Sequence, residues 1–484
     1  MTKSRSPIVT ILGHVDHGKT TLLDFIRKSN ITDKEHGGIT QKIGAYEITT
    51  DFKDYKTNKL TFIDTPGHEA FSRLRARGAN IADIALLLVD GKDSLMPQTI
   101  ESISHIKAAK IPFIVVINKM DLPDFNPEKV KIDLLKHEVM VESTGGQVPV
   151  ALISAKSGKG VKELLETILF MTSDLNLNYD DTAPPQAYII ETKKDKRGIV
   201  PSLIIKQGSI KIGDVLYSGS QKIKVRSITN DLGKSLTQVI PSMPFEMTGF
   251  NEMPEVGTII TSTETAKEVT APPVSQNPKN IDLEALLATP VVEKKLSLII
   301  KADSQGSLEA IKQSLDKNTR VDIVLVAVGD INKSDIFLAK ATKSIIIGFA
   351  TQPSSEAIGL AKQEKVIIKT YNIIYELLDE LTEVADLLKE KAEKEKNLKG
   401  EAKIVATFII EKETVYGVMV TKGKINLDDE VEIHRNNKLL AKTKLFSLKI
   451  RAKNVTEVKK GSEAGMMFSP PLDITIGDMV KSIL

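Results

Sequence analysis

Five short apolar runs open the chain, at residues 8–12 (IVTIL), 60–63 (LTFI), 84–89 (IALLLV), 111–117 (IPFIVVI) and 148–153 (VPVALI). Polar stretches with helix-like spacing separate them. Runs that are apolar on both faces and alternate with helices predict a parallel sheet covered on both sides, so residues 1–178 read as one α/β domain. From 184 to 270 the pattern changes to short alternating segments, AYIIET, VPSLIIKQG and KIKVRSI, punctuated by Gly208, Gly213, Gly219 and Gly233. That spacing predicts an antiparallel β-barrel. Residues 282–370 return to alternation, with KLSLIIK, VDIVLVAV, SIIIGF and KVIIKT as strands of an αβα wound domain. The proline-bearing stretches APPQ and APPVSQNPKN mark the two boundaries.

Residues 371–399 predict one connecting helix. Ile373, Ile374, Leu377, Leu378, Leu381, Val384, Leu387 and Leu388 recur at three- and four-residue spacing, and KEKAEKEKNLK then has no apolar face. A helix that begins packed and ends solvated bridges domains, and this one would reach about 43 Å at 1.5 Å per residue. The last stretch, 401–484, repeats the barrel pattern: Gly208 lines up with Gly423, Ile210 with Ile425, Asp214 with Asp429, and GTII at 257 with GDMV at 477.

The segments just past the strand ends carry the chemistry, because ligands on parallel sheets sit at the strands' C-terminal ends. GHVDHGKT, from Gly13 through His14, Val15, Asp16, His17, Gly18 and Lys19 to Thr20, matches the P-loop and runs into the helix-like TTLLDFI that begins at Thr20 and Thr21. Its glycines let successive backbone N–H groups turn onto phosphate oxygens; Lys19 reaches the β- and γ-phosphates and Thr20 ligates Mg²⁺. Asp64-Thr65-Pro66-Gly67, Asn118-Lys119-Met120-Asp121 and Ser154-Ala155-Lys156 come directly after three further strands. Each alone could be an ordinary turn. Together they make a nucleotide site, and Asp121 selects guanine, since a carboxylate accepts from both N1–H and the 2-amino group while adenine offers neither donor there.

GHVDHGKT, GGITQ, DTPGHEAF and NKMD resemble the translational GTPases. By position the resemblance implies that Thr40 contacts Mg²⁺ and the γ-phosphate, that Asp64 holds Mg²⁺ through water, and that Gly67 bonds the γ-phosphate and moves when it leaves. It makes His68 the residue that orients the attacking water, with Val15 and Ile39 as an apolar gate. His14 and His17 read as scaffold. Arg73, Arg75 and Arg77 read either as contacts to rRNA or the neighbouring barrel, or as a solvated helix face. No arginine finger is evident, which implies slow intrinsic hydrolysis awaiting an activator.

KADSQGSLEAI, SDIFLAKA, IIIGF and YNIIYELLDE narrow the resemblance to the family of bacterial-type translation initiation factor two, in a core form without the long N-terminal extension. The fold this implies is multidomain α/β plus β: a P-loop GTPase domain, an antiparallel β-barrel, an αβα domain, a long connecting helix and a second β-barrel. The implied function is a ribosome-stimulated GTPase that positions initiator (formylmethionyl) tRNA on the small ribosomal subunit and promotes joining of the large one. Its cofactors would be GTP or GDP and Mg²⁺, its partners the ribosome with its rRNA and initiator tRNA. A monomer in the cytoplasm or an organelle interior is expected. In the last barrel Phe408, Gly417, Glu463 and Gly465 match the family's tRNA-binding pattern. Val418 and Ala464 stand where the family tends to carry cysteines, and Lys449 and Arg451 where it places consecutive basic residues, so the formyl requirement stays open. Two rival classes remain, a metabolic P-loop enzyme of the sulfate-activating kind and a binding module without hydrolysis.

Composition changes this picture little. The absence of cysteine excludes disulfides and thiolate chemistry, and the absence of tryptophan argues against base-stacking platforms. The net charge of +3 is carried by the last segment, where 14 Lys/Arg face 11 Asp/Glu in residues 401–484. No apolar run approaches a membrane span or a signal peptide, so a soluble protein away from membranes is expected.

Overall fold

The computed structural model describes residues 2–28, 40–263, 295–315, 321–396, 398–410, 413–436, 438–451, 453–469 and 474–483. It divides into two compact units, Met1–Ala288 with Leu296–Leu381 and Thr289–Lys295 with Thr382–Leu484.

The first unit begins with a six-stranded sheet in the order Gly44–Thr49, Lys59–Asp64, Ile8–Gly13, Ile84–Asp90, Phe113–Asn118, Val150–Leu152. All neighbours are parallel except the first pair. Ile8–Gly13 and Ile84–Asp90 are buried at every position, as runs without a polar face require. Helices Ser72–Ile81, Pro97–Ala109 and Pro127–Lys136 follow successive strands, while Lys19–Arg27 and Val161–Ser173 share a core with the sheet's other face. The sheet's functional loops therefore emerge together at its C-terminal edge.

Next comes an eight-stranded antiparallel sheet that includes the long hairpin Gln186–Asp195 and Gly198–Gln207. Ala187, Leu203, Leu216, Ile223, Ile228, Phe245 and Ile260, from seven of its strands, meet in a single core, so the sheet curls on itself. Four parallel strands, in the order Val321–Val328, Leu296–Ala302, Ile345–Phe349 and Ile368–Tyr371, carry helices Gln305–Leu315, Lys333–Thr342 and Ser355–Glu364. One hydrophobic cluster joins all three modules, with Phe71 and Leu74, Ile190 and Ile204, and Leu308, Ile347 and Tyr371 among its members. Polar ties reinforce it: Arg5 Nη1 donates to the Ser242 hydroxyl at 3.3 Å, and the Thr61 hydroxyl donates to Ser242 O at 2.6 Å.

The connecting helix runs Ile374–Lys396, shorter than the sequence pattern predicts. Tyr371 is the last residue of a strand, paired with Phe349, and Lys399 lies in the strand Leu398–Ile410. The helix's 23 residues span about 34 Å.

The second unit holds a closed barrel. Going round, Leu398–Ile410 pairs Met479–Ile483, then Glu430–Arg435, Lys438–Ile450, Glu463–Ser469 and Glu413–Asn426, which pairs back onto the first strand. The repeat visible in the sequence has a geometric counterpart. Asp214 accepts from the Lys211 N–H at 2.7 Å, and Asp429 from the Asn426 N–H at 2.8 Å. Gly208 and Gly423 both take the left-handed conformation, at φ +67° and +60°, and Ile210 and Ile425 are both fully buried.

Candidate functional site

The central strand Ile8–Gly13 delivers the loop at residues 13–20 to the sheet's C-terminal edge. A Cβ on Gly13 would sit 2.4 Å from Leu88 O, and one on Gly18, at φ +88°, 2.5 Å from Asn118 Nδ2. Only glycine fits at either point. The loop ends on the nine-residue helix Lys19–Arg27, whose first N–H groups make a natural anion site. Lys19 is 3% exposed, with Nζ donating to Gly13 O at 2.9 Å and His14 O at 2.5 Å. Burial pushes its pKa down to about 7, against the pull of the Asp64 carboxylate. His17 is buried with Nδ1 3.2 Å from Leu88 O, and desolvation lowers it to about 4, so it is a neutral wall of the loop. His14 is half-buried and shifted down by burial. Asp16 and Thr21 are exposed.

Three segments converge on this loop. The Thr40 hydroxyl lies 2.7 Å from that of Thr20. With Asp64, at the end of Lys59–Asp64, these give an oxygen-only donor set of the kind hard divalent cations take. Gly67 lies directly on the loop, for a Cβ there would meet Lys19 Nζ at 2.5 Å and Val15 Cα at 2.8 Å. Asn118 bridges, with Nδ2 donating to His17 O at 2.9 Å and Oδ1 accepting from the Ala155 N–H at 2.9 Å. Lys119, at φ +67°, places Nζ 2.7 Å from Asp90 Oδ2. Asp121 is exposed; a hydrogen bond from Ser154 and the charges of Lys156 and Lys119 hold its carboxyl below the usual range, leaving it an ionised acceptor. Of the two residues expected to form an apolar gate, Ile39 lies outside the described residues, and Val15 donates its N–H to Gln98 Oε1 at 3.3 Å.

His68 is 4% exposed. Its Nδ1 accepts from the Ala70 N–H at 2.9 Å, capping the turn Glu69–Phe71, and burial lowers its pKa, so the ring is neutral.

Arg75 does not face outward. It is fully buried, donating to Pro66 O at 3.1 Å, His68 O at 2.5 Å and Glu101 Oε2 at 2.6 Å, so neither rRNA nor bulk solvent reaches it. Arg77 does meet the neighbouring barrel through Ile190 O at 3.4 Å, and also pairs Glu309 at 3.0 Å. Arg73 is exposed and lines a cavity of about 770 Å³ with Lys194 and Lys312. Glu191 reaches from the first barrel to accept from the Gly306 N–H at 3.0 Å and the Ser304 hydroxyl at 3.1 Å, filling the N-terminus of helix Gln305–Leu315. Sequence reasoning missed Asp90, Gln98, Glu101 and Glu191. Asp90 alone carried a signal, as the polar residue closing a buried strand.

In the second unit the tRNA candidates fall on adjacent strands: Gly417 opposite Gly465, Val418 opposite Ala464, Met419 opposite Glu463, and Lys449 beside Gly465. Val418 and Ala464 point into the barrel core, 1% and 5% exposed. Phe408 is 55% exposed, and its ring lies 3.3 Å from where a Cβ on Gly417 would be. Glu463, Lys449 and Arg451 are exposed, Arg451 at a turn with φ +47°.

The fold and this loop cluster define a translational GTPase architecture, a G domain followed by β-barrel modules. Residues 4–174 match the elongation factor Tu GTP binding domain, 184–263 match elongation factor G domain 2, and 275–382 match translation-initiation factor 2. Proteins named translation initiation factor IF-2 are similar over 99% of the chain: 41% identical in Halothermothrix orenii, covering 71% of that protein, and 37% identical in Onion yellows phytoplasma, covering 80%. The counterpart in a Bradyrhizobium species is 40% identical, and 54% of it is covered. The chain belongs to the translation initiation factor IF-2 family. It spans about half the length of several of these relatives.

Proposed function

We propose that this chain is a GTP-binding and GTP-hydrolysing translation initiation factor, stimulated by the ribosome, that positions initiator tRNA on the small subunit and promotes subunit joining. The observation that carries the reading is the convergence of Thr40, Gly67 and Asn118 on one phosphate loop. Those three segments must sense metal, γ-phosphate and base. Loop N–H groups and Lys19 grip the phosphates; Asn118 locks the base loop to the phosphate loop; Asp121 accepts from guanine N1–H and the 2-amino group. Mg²⁺, held by Thr20, Thr40 and, through water, Asp64, would neutralise charge between the β- and γ-phosphates. His68, neutral and with Nδ1 already accepting, has Nε2 as its proton-bearing nitrogen and orients the attacking water through it. Loss of the γ-phosphate frees Thr40 and Gly67, and that release is the signal passed to the other modules. In the second unit, Phe408 and the bare strands at Gly417 and Gly465 offer an apolar shelf for the aminoacyl end of initiator tRNA, with Lys449 and Arg451 for its phosphates.

The test is GTP turnover by the full chain, alone and with both ribosomal subunits, alongside binding of formylated and unformylated initiator aminoacyl-tRNA at one stated salt. Subunit-dependent turnover abolished by Lys19→Ala is expected. Turnover indifferent to ribosomes would favour the metabolic P-loop reading instead.

A further inference from the structure

The ring of His68 sits 3.9 Å, centroid to centroid, from that of Tyr375, with the planes 58° apart, and Phe71 closes another side at 5.9 Å. Between them the imidazole is buried and Nε2 has no hydrogen-bond partner among the described residues. Tyr375 belongs to the first turn of the helix Ile374–Lys396, and this turn is pinned from the G domain. Gln41 donates from Nε2 to Asn372 O at 2.8 Å and accepts the Ile374 N–H at 3.0 Å. Gln41 directly follows Thr40, and its neighbour Lys42 pairs with Asp303. One helix start thus touches both nucleotide-sensing segments, the first through Gln41 and the second through His68. Tyr375 is itself 41% exposed, so its contact with His68 is not one that the core demands.

We propose that Tyr375 is a positioning residue for His68: it holds the imidazole turned in on itself, and movement of the Gln41-bound helix start releases the ring toward the phosphate loop. This rests on His68 being the water-orienting group of the proposed function. An aromatic ring pair is a favourable contact beyond its buried area, so this one biases the orientation of both side chains. Because Gln41 grips the same turn, a shift of Thr40 on nucleotide exchange is transmitted to the cover over His68. Glu69 and Arg75, from its own segment, and Asp379, one turn along the helix, are the charged groups that face the imidazole.

Two measurements on the full chain test this. The first is intrinsic GTP turnover, without ribosomes, for wild type, Tyr375→Ala, Tyr375→Leu and Tyr375→Phe, with GDP affinity measured beside it. Removing the ring is expected to raise kcat roughly two- to twelve-fold, the range one aromatic pair is worth. GDP affinity should hold, and Tyr375→Phe, which keeps the ring, should restore the wild-type rate. The second is NMR of the labelled His68 imidazole, which needs no turnover. In Tyr375→Ala or Tyr375→Leu its resonances should move toward those of a solvated histidine, and in Tyr375→Phe they should not. Unchanged or slower turnover with intact GDP affinity overturns the proposal, as does an unmoved His68 resonance. A wild type that turns over no GTP even with ribosomes, while His68 responds to the variants, refutes the functional reading and leaves the contact standing.

Discussion

Arg75→Met is the sharpest test of how the turn at residues 65–68 is held. The guanidinium is fully buried and fastens the carbonyls of Pro66 and His68, while its other end pairs with Glu101. Hydrogen bonds from a charged donor contribute about 1.5–3 kcal/mol each, so losing two costs about 3–6 kcal/mol. Methionine fills most of the volume without the guanidinium's desolvation cost, which returns part of that. The Glu101 side chain is 30% exposed and keeps His105 at 3.1 Å, so its share of the loss is small after solvent screening. The net expectation is about 2–3 kcal/mol. For a domain of this size that lowers the first calorimetric transition of the full chain by about 5–10 °C. Amide exchange at residues 67–70 should rise with it, because the carbonyls that anchor the turn are freed. Arg73→Ala, at an exposed position on the same helix, should stay within about 0.5 kcal/mol. An Arg75→Met protein that melts within about 2 °C of wild type, with unchanged exchange at 67–70, would refute the account.

Two further expectations concern pH, with opposite signs. Burial raises the Glu191 carboxyl above its ordinary value despite the donors Gly306, Thr192 and Ser304, so its contribution to stability is full below the ordinary glutamate value and is lost as pH rises through the raised one. Urea melts of Glu191→Gln should therefore lose ground to wild type near about pH 4 and recover it by about pH 7; a gap that ignores pH would count against the buried charge. Asp429 behaves inversely: burial works against ionisation but is overcome by Ser482, the Asn426 N–H and Lys399, so its pKa is lowered. The stability it adds is present above the ordinary aspartate value and lost as pH falls through the depressed one. Asp429→Asn should close on wild type as pH drops from about 5 to about 3, and near-UV circular dichroism during urea titration would detect a failure to do so.

The sequence was most legible where one residue type answers one physical need. The run at 84–89 could only be a strand buried on both faces, and Gly13 and Gly18 could only be points of close approach. The matched pairs Gly208 and Gly423, and Asp214 and Asp429, reappear as the same left-handed turn and the same carboxylate-to-amide bond. Features that stayed hidden depend on partners distant in sequence. Arg73, Arg75 and Arg77 look alike along the chain, yet one is exposed, one fully buried and one bridges to Glu309, because helix Ser72–Ile81 turns each toward a different neighbour. Periodicity ran the connecting helix through Tyr371, since an apolar residue ending a strand keeps either register. Glu191 sits in a stretch that reads as an ordinary alternating strand, and nothing local marks it as the acceptor for another module's helix.

That carboxylate gives the chain two wound sheets with opposite dispositions. The loop at residues 13–20 presents its donors to whatever anion diffuses in, and so can be in more than one state. The helix start at Gly306 is satisfied permanently by a side chain from the same polypeptide. It cannot be emptied without separating the modules, and it competes for no solute. Of the two sheets, then, only the first leaves its phosphate-type cradle open to a ligand, while the second has that position filled from within the chain.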